Sequence, residues 1–377
     1  MTSNEKKLGP QRNRLDQIDE KILDLLSERN QIVHKVIEKK IDNQLPIFAP
    51  KREDEKTVAF REMAEQRNLD PDWAEDFLRM IMASSRASQS SSEFPRATPE
   101  AKNILIVGAN GGMGSLYARI ARQTGHTVHG IDKHNWHELE EIAPELDLAI
   151  VAVPINVTTK VVKRLAPKLQ PDTILADFTS NKTAPIEAMK AAHNGPVLGL
   201  HPMHGPDVQN LSKQLMVVCP VQQSERTRWV VDQAKLWGMR IVEADPEKHD
   251  HVMHMVQGLR HFVALLHGSF MKTYDLKPQD ILDYSSPIYR AELMMTGRIF
   301  AQSAELYADI VFANEERREL LLKFIKHNEK LAEMVKENDR EGFIREFEAV
   351  TDFFGKFASQ ALKESGYLIN RLADRFA

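Results

Sequence analysis

Residues 104–114 read Ile104-Leu105-Ile106-Val107-Gly108-Ala109-Asn110-Gly111-Gly112-Met113-Gly114, and this stretch decides the fold. The four apolar residues have the length of a short buried strand, and the glycines after them lead into a helical pattern that begins near Met113. In a strand–turn–helix unit of this kind, the backbone can approach a pyrophosphate that faces the amino terminus of the helix. The stretch therefore predicts a dinucleotide-binding domain.

The cofactor-binding residues predicted from this turn and the next strand are Gly108, Gly111, Met113, Gly114 and Asp132. The turn departs from the usual fingerprint at Ala109, where that pattern has a glycine, and the departure is expected to alter cofactor affinity. Asp132 follows the next apolar run, where an acid hydrogen-bonds the adenosine ribose and repels a 2′-phosphate, which favours NAD over NADP. The alternative is a glycine-rich surface turn followed by a solvated aspartate.

The same pattern continues through residues 101–245, which we expect to form a doubly wound, Rossmann-type sheet. Six more apolar runs have the length of buried strands: residues 127–131, 146–153, 173–176, 197–200, 215–219 and 239–242. Across residues 246–377 the strand signals end, and Ser285-Ser286-Pro287 has the composition of a helix start. This part is predicted to be an all-helical C-terminal domain that helps to close the active site and to form a dimer.

Residues 1–92 are predicted to form an all-helical domain. Apolar residues recur at three- and four-residue steps from Leu15 to Ile37, which indicates one long amphipathic helix. A second helix is expected from about Arg52 to Arg67, and a third starts at Pro71 and ends near residue 86. The serine-rich sequence that follows suits a flexible linker, which we place at residues 93–100. The predicted fold is thus multidomain, with α and α/β parts.

Composition and charge exclude several classes of protein. A net charge of -4 lacks the basic excess of nucleic-acid-binding proteins, and no apolar run approaches the ~20 residues that span a bilayer. Cys219 is the only cysteine, so no internal disulfide can form. We expect a cytoplasmic protein without nucleic-acid or membrane partners. The histidines around His249-Asp250-His251 match no standard zinc spacing, and no metal site is predicted.

Two cations, Arg29 and Lys40, lie on the apolar stripe of the first predicted helix. Their separation corresponds to about three helical turns, so both side chains point the same way and are predicted to be partly buried. Because uncompensated buried cations are unfavourable by several kcal/mol, carboxylates or an anionic ligand should face them, and a dicarboxylate would satisfy the pair. The alternative is that both side chains reach solvent at the edge of the stripe.

In order and spacing, this region resembles the all-helical class of chorismate mutases in Arg12, Asp19-Glu20, Ser27-Glu28-Arg29, Lys40, Pro46, Arg52-Glu53 and Gln89. The resemblance covers about residues 10–90 and implies an intertwined dimer in which Arg12 is donated across the interface. It implies that Arg12, Arg29 and Arg52 bind the carboxylates of chorismate. It also implies that Lys40 and Gln89 hydrogen-bond the ether oxygen and Glu53 the hydroxyl. Several of these mutases have an acidic residue where this chain has Ala49, which weakens one expected substrate contact.

His201 is the candidate base of a second site. It lies where residues 197–207 continue from an apolar strand, and residues 177–182 follow another. Ligands of α/β sheets bind at the carboxyl ends of such strands. Beside a nicotinamide, an imidazole can accept a hydroxyl proton as a hydride leaves the same carbon. The alternative is a structural or solvated histidine on a strand-end loop.

Residues 101–377 resemble prephenate dehydrogenases, most specifically at residues 199–203, 257–262, 285–290, 297–298 and 306–310. The resemblance implies that His201 accepts the proton of the ring 4-hydroxyl, that Ser180 orients both groups, and that Arg298 pairs with the ring carboxylate. Lys182, His249, His261 and Arg290 would line or support the pocket. Hydride would pass to NAD+ with loss of CO2. His204 stands where a phenylalanine is more familiar and adds a titratable group near the site.

The order of the two halves resembles the bifunctional chorismate mutase/prephenate dehydrogenases. That resemblance implies a homodimer that converts chorismate to prephenate and then to 4-hydroxyphenylpyruvate, with tyrosine as a possible inhibitor. One alternative is a dehydrogenase with arogenate or mixed specificity. The other is a catalytically silent NAD or tyrosine sensor whose helices only dimerise.

Overall fold

The computed structural model describes residues 9–46, 49–88, 93–208, 210–221 and 225–376, which divide into two compact units. The first unit comprises Met1–Val153 and Thr158–Pro246, and the second comprises Pro154–Val157 and Glu247–Ala377. The predicted boundaries at residues 92 and 100 fall inside the first unit and stay a prediction. Gln89 lies outside the described residues.

The first unit begins with three helices: α1 (Gly9–Asp42), α2 (Pro50–Glu65) and α3 (Pro71–Ser88). Helix α1 extends beyond the predicted amphipathic stretch because no glycine or proline lies between Pro10, in its first turn, and Pro46. Helix α3 starts as predicted, since the carboxylate of Asp70 accepts the amide of Asp72 at 2.9 Å. The apolar residues of α1 are largely exposed, with only Ile37 buried. The described part of this chain therefore covers its stripe only in part, around Ile37.

Seven strands form one sheet: β1 (Asn103–Val107), β2 (Thr127–Ile131), β3 (Leu148–Val151), β4 (Ile174–Asp177), β5 (Val197–Pro202), β6 (Leu215–Pro220) and β7 (Arg240–Glu243). Their order is β2-β1-β3-β4-β5-β6-β7, and all neighbouring pairs are parallel except β5 and β6. Since β2 and β3 lie on opposite sides of β1, the strand order reverses there. A crevice opens outside the carboxyl ends of strands at such a point.

Helices cover both faces of the sheet: α4 (Gly112–Gln123), α5 (Leu139–Ile142), α6 (Ile155–Leu165), α7 (Thr183–Ala192) and α8 (Glu225–Leu236). Alternate residues of β1 enter two different cores, Ile104 and Ile106 one and Leu105 and Val107 the other. Successive strand side chains point to opposite faces, so a strand buried on both sides is a continuous apolar run. The sheet is doubly wound and Rossmann-type, as predicted.

The second unit is helical in its described residues: α9 (Pro246–Met253), a π-helical turn (His254–Leu259), α10 (Arg260–Thr273), α11 (Pro278–Leu282), α12 (Pro287–Phe300), α13 (Ala304–Val311), α14 (Glu315–Lys336), α15 (Arg340–Phe354) and α16 (Lys356–Phe376). Helix α12 starts where the sequence predicts, with Ser286 accepting the amide of Tyr289. Among the described residues, no helix is both long and apolar enough to cross a membrane.

Candidate active sites

The turn after β1 is tight because its glycines leave no room for side chains. Gly108 has a φ of +92°, and a Cβ atom there would lie 2.5 Å from the carbonyl oxygen of Ala152. A Cβ atom on Gly114 would overlap the carbonyl oxygen of Gly108, which accepts the amide of Gly111 at 3.0 Å. Met113, in the first turn of α4, packs against the core. The backbone is therefore open to a pyrophosphate at the start of this helix.

Asp132 follows β2 directly, and its carboxylate lies beside the glycine turn. Its Oδ2 atom accepts the amide of Asn110 at 3.1 Å, and its own amide donates to the Oδ1 atom of Asn135 at 2.8 Å. The carboxylate retains acceptor sites for ribose hydroxyls. The methyl group of Ala109 is accommodated because Gly130 faces it, where a Cβ atom would lie only 2.8 Å away. The turn and the acid together fit a dinucleotide without a 2′-phosphate.

A buried ion pair lies at the carboxyl end of β4. The Nζ atom of Lys182 is 2.5 Å from the Oδ2 atom of Asp177 and donates to the carbonyl oxygen of Leu200 at 2.8 Å. Asp177 also accepts the amide and hydroxyl of Thr179. Lys182 was expected to line or support the pocket, and it is completely buried. It joins the end of β4 to β5 one residue before His201, so its contribution is to hold that strand.

His201 lies inside β5 as its penultimate residue, opposite Val217 of β6, and is buried. It was expected on a loop, but the strand continues to Pro202. Ser180 lies in the connection after β4, and its hydroxyl oxygen is buried without a hydrogen-bond partner among the described residues. Because β1, β4 and β5 are parallel, Ser180, His201 and the glycine turn share one edge of the sheet.

His204 occupies a defined tautomer near this edge. Its Nδ1 atom is 2.9 Å from the carbonyl oxygen of Gly205, so Nδ1 carries the proton, and Nε2 accepts the hydroxyl of Tyr117 at 3.2 Å. Burial lowers the pKa of His204, opposed by its bond to Gly205 and by Asp207. Burial also raises the pKa of Tyr117, which keeps that hydroxyl protonated. The histidine thus packs as a neutral ring in place of a phenylalanine.

The histidines of the second unit are held by local partners. His249 is buried, with its Nδ1 atom 2.8 Å from the Oδ1 atom of Asp250. The ring of His261 meets the ring of Tyr307 edge to face, with centroids 4.8 Å apart. Burial, then Arg260 and Arg317, lower the pKa of His261 to about 4. His261 is therefore a neutral imidazole at neutral pH.

The two arginines predicted in this unit lie on α12. Arg290 donates from Nη2 to the carbonyl oxygen of Leu282 at 2.8 Å, which ties α12 to α11, whereas Arg298 is exposed.

Sequence reasoning missed Arg317, which is completely buried and donates to the carbonyl oxygen of Ile310 at 2.5 Å. A Cβ atom on Gly258 would lie 2.7 Å from the Cδ atom of Arg317, so that glycine makes room for it.

Arg29 and Lys40 are both partly buried, as the sequence predicts. Arg29 is half-buried and donates from Nη1 to the hydroxyl of Ser85 at 2.6 Å, and Lys40 is half-buried as well. Burial lowers the pKa of both, while the nearby carboxylate of Glu53 opposes the shift of Lys40. Lys56 is a third cation in this region, since partial burial and then the nearby Arg29 and Arg52 lower its pKa. Such a cluster favours an anionic ligand.

Arg12 and Arg52 are exposed, and Arg52 lies 3.3 Å from the carboxylate of Glu55. Glu53 is instead bound on both oxygens. Its Oε1 atom is 2.5 Å from the Nη1 atom of Arg86, and its Oε2 atom is 2.6 Å from the Nζ atom of Lys213. The sequence singled out neither cation, because both meet Glu53 only through the tertiary fold. Ala49 lies just before α2 and accepts the amide of Glu53 at 3.1 Å.

Three family models match the chain in succession. Chorismate mutase type II matches residues 11–90, the nucleotide-binding domain of prephenate dehydrogenase matches residues 118–242, and its dimerization domain matches residues 245–349. The second match begins after the glycine turn, which is therefore identified by its geometry.

Relatives align with nearly the whole chain. The T-protein of Enterobacter agglomerans is 38% identical over 363 residues, which cover 96% of this chain and 97% of that protein. The T-protein of Haemophilus influenzae is also 38% identical, with 96% of each covered. A crystal structure of prephenate dehydrogenase from A. aeolicus in complex with hydroxyphenyl propionate and NAD+ gives a TM-score of 0.55 at 20% identity and covers 67% of this chain and 97% of that one. Because the T-proteins align end to end and the three models follow one another, the chain belongs to the family of bifunctional chorismate mutase/prephenate dehydrogenases.

Proposed function

We propose that the chain performs its two reactions at two separate sites, a mutase site around Glu53 and a dehydrogenase site at the carboxyl edge of the sheet. The chain is an isomerase and an NAD-dependent oxidoreductase of tyrosine biosynthesis. It rearranges chorismate to prephenate and oxidises prephenate to 4-hydroxyphenylpyruvate. One observation carries the assignment of sites: a half-buried cation cluster and a nucleotide cradle occur in different parts of the same chain.

At the mutase site the protein binds a dianion in a reactive conformation. Arg29, Arg52 and a partner's Arg12 bind the two carboxylates, for which the converging cations supply the charge. A pericyclic rearrangement needs neither base nor nucleophile, so the rate depends on fixed geometry and on donors where negative charge grows. Lys40 and Gln89 donate to the ether oxygen, and Glu53 accepts the substrate hydroxyl.

The cofactor site is the turn from Gly108 to Gly114, with Met113 at the start of α4 and Asp132 opposite. The amino terminus of α4 would hold the pyrophosphate, and the carboxylate of Asp132 would accept the ribose hydroxyls. NAD+ bound there supplies the hydride acceptor for the ring carbon.

His201 then accepts the proton of the ring 4-hydroxyl as the carbon–oxygen bond becomes a carbonyl. The hydroxyl of Ser180 orients His201 and the substrate, and Lys182 holds β5 through the carbonyl of Leu200. The bond to the ring carboxylate breaks, CO2 leaves, and its electron pair completes the aromatic ring. The ring oxygen takes a proton back.

Residues of the second unit are proposed to recognise prephenate. The exposed guanidinium of Arg298 binds the ring carboxylate. His261 contributes a neutral imidazole, and His249 and Arg290 support the helices that carry these groups.

We further propose a cytoplasmic homodimer. Helix α1 exposes Leu15, Leu25 and Ile32 on its apolar stripe, and an exposed stripe of this length is typical of an interface. Phe347, Phe353 and Leu362 of the second unit are also exposed, within and beyond a region that matches a dimerization domain. A second chain would cover these surfaces. Tyrosine, which resembles the product with an amine in place of the ketone, is proposed as an inhibitor.

Two substitutions separate the sites. Lys40→Ala should abolish formation of prephenate from chorismate while NADH formation from prephenate continues, and His201→Asn should do the reverse. Circular dichroism of both variants checks the fold. If either substitution removed both activities in a folded protein, two separate sites would be the wrong account.

A further inference from the structure

The carboxylate of Glu53 is held by cations from two parts of the first unit. Arg86 on α3 binds Oε1 at 2.5 Å, and Lys213 binds Oε2 at 2.6 Å. The side chain of Glu53 is 20% exposed, so solvent does little to screen these contacts. Arg86 belongs to the N-terminal helices, whereas Lys213 belongs to the connection between β5 and β6 of the sheet.

The backbone fixes where Lys213 points. Its φ is +65°, in the left-handed region, and its amide donates to the carbonyl oxygen of Gly238 at 2.8 Å. The amide of Gln214 donates to the carbonyl oxygen of Leu211 at 3.0 Å, which closes the turn just before β6. A residue other than glycine is strained in this conformation, so the surrounding hydrogen bonds must hold the backbone of the turn in place.

The charge on Glu53 is unfavourable for a dicarboxylate ligand unless cations compensate it. Two cations bound to one carboxylate remove most of that repulsion and leave each oxygen with acceptor capacity for a hydroxyl group. They also restrict the carboxylate to one orientation. A cation from beyond residue 100 is therefore part of the surroundings of the mutase site.

We propose that Lys213 is a positioning residue for the mutase reaction, supplied by the nucleotide-binding sheet to orient and neutralise Glu53. The proposal rests on the assignment of Glu53 to the mutase site. The β5–β6 connection starts after Pro202, one residue past His201, and includes Lys213, so one segment lies near the residues assigned to both reactions. It follows that the three N-terminal helices do not contain the complete mutase site.

The test uses the full chain and compares Lys213→Asn with Lys213→Arg. Asparagine tolerates the left-handed backbone and removes the charge, so the backbone is not the cause of any loss. Lys213→Asn should lower kcat/KM for chorismate by about threefold to tenfold, the range of a partly exposed charge contact. Lys213→Arg, which keeps the positive charge, should retain most of the wild-type kcat/KM. The control is Lys168→Ala, because Lys168 is 41% exposed beside Glu140, close to the 40% of Lys213.

Glu53→Gln separates this proposal from the proposed function. If Lys213 acts through Glu53, Lys213→Asn and Glu53→Gln should change kcat and KM for chorismate in the same direction. The double variant should then lose less kcat/KM than the product of the two single losses. Wild-type mutase kinetics in Lys213→Asn, with a clear loss in Glu53→Gln, would overturn the role of Lys213 alone. No loss in Glu53→Gln would overturn the assignment of Glu53 itself. An equal fall of NADH formation from prephenate in Lys213→Asn would show general damage and also overturn the proposal.

Discussion

The ammonium group of Lys182 lies 2.5 Å from the carboxylate of Asp177, and neither side chain is exposed. Removing one partner of such a pair leaves an uncompensated charge in the interior. Lys182→Met should therefore lower the free energy of unfolding by about 3–5 kcal/mol, measured by urea denaturation. Adding Asp177→Asn should recover part of the loss. Lys190→Ala, at an exposed pair with Glu187, should change it by no more than about 1 kcal/mol. Equal effects at both lysines would contradict the structure.

His204 is predicted to stay neutral in the neutral pH range, because burial lowers its pKa. His204→Phe should therefore leave the shape of the pH profile of the dehydrogenase unchanged above about pH 6.5. The hydroxyl of Tyr117 would keep only the weak acceptor Sδ of Met239, at 3.7 Å, so the variant should be less stable by about 1–3 kcal/mol. Thermal unfolding measures the stability, and kcat/KM for prephenate measures the profile. Loss of a titration step above that pH would show that His204 ionises during turnover.

His126 makes the fold sensitive to acid. Burial lowers its pKa to about 4, and its Nδ1 atom accepts the amide of Lys102 at 3.1 Å. Since the unfolded state takes up a proton near pH 6.5 and the folded state does not, the stabilisation is complete above that pH and is lost as pH falls towards 4. The thermal midpoint of the wild type should fall over this window. The thermal midpoint of His126→Gln should fall less over the same pH range. That of His137→Gln, at an exposed position, should fall as much as in the wild type.

Asp132 is predicted to select NAD over NADP. Asp132→Ala removes an acceptor for the ribose and a charge that repels a 2′-phosphate. The KM for NAD+ should therefore rise about tenfold, and the ratio of kcat/KM for NAD+ to that for NADP+ should fall. Asp172→Ala is the control, since Asp172 pairs with Arg226 at the surface. Steady-state kinetics with both cofactors measure the ratio. An unchanged ratio would mean that another residue selects the cofactor.

The seven strands could be predicted because each contains an apolar run, which is buried in the inner strands and largely exposed in the edge strand β7. The ends of the strands differ from the predicted ones: the apolar run at residues 146–153 contains the shorter strand Leu148–Val151. The reversed direction of β6 could not be predicted, because an apolar run carries no sign of the direction of its neighbour.

The candidate sites can be proposed from sequence where function requires a local pattern. The glycine turn and the Arg29–Lys40 pair follow from spacing along one element. Lys213, Arg317 and the partner of Lys182 did not stand out, because long-range pairing of charges depends on the tertiary fold. The apolar stripe of α1 was predicted, but its exposure in the chain could not be, since periodicity does not tell what covers a face.

The central claim is that one chain performs both reactions, and NADH formation by the purified protein with NAD+ tests it most directly. One sample receives prephenate and the other chorismate, and absorbance of NADH is followed in both. The account predicts NADH from both substrates, with a lag from chorismate while prephenate accumulates. NADH from prephenate alone would contradict an active mutase site, and NADH from neither would contradict both assignments.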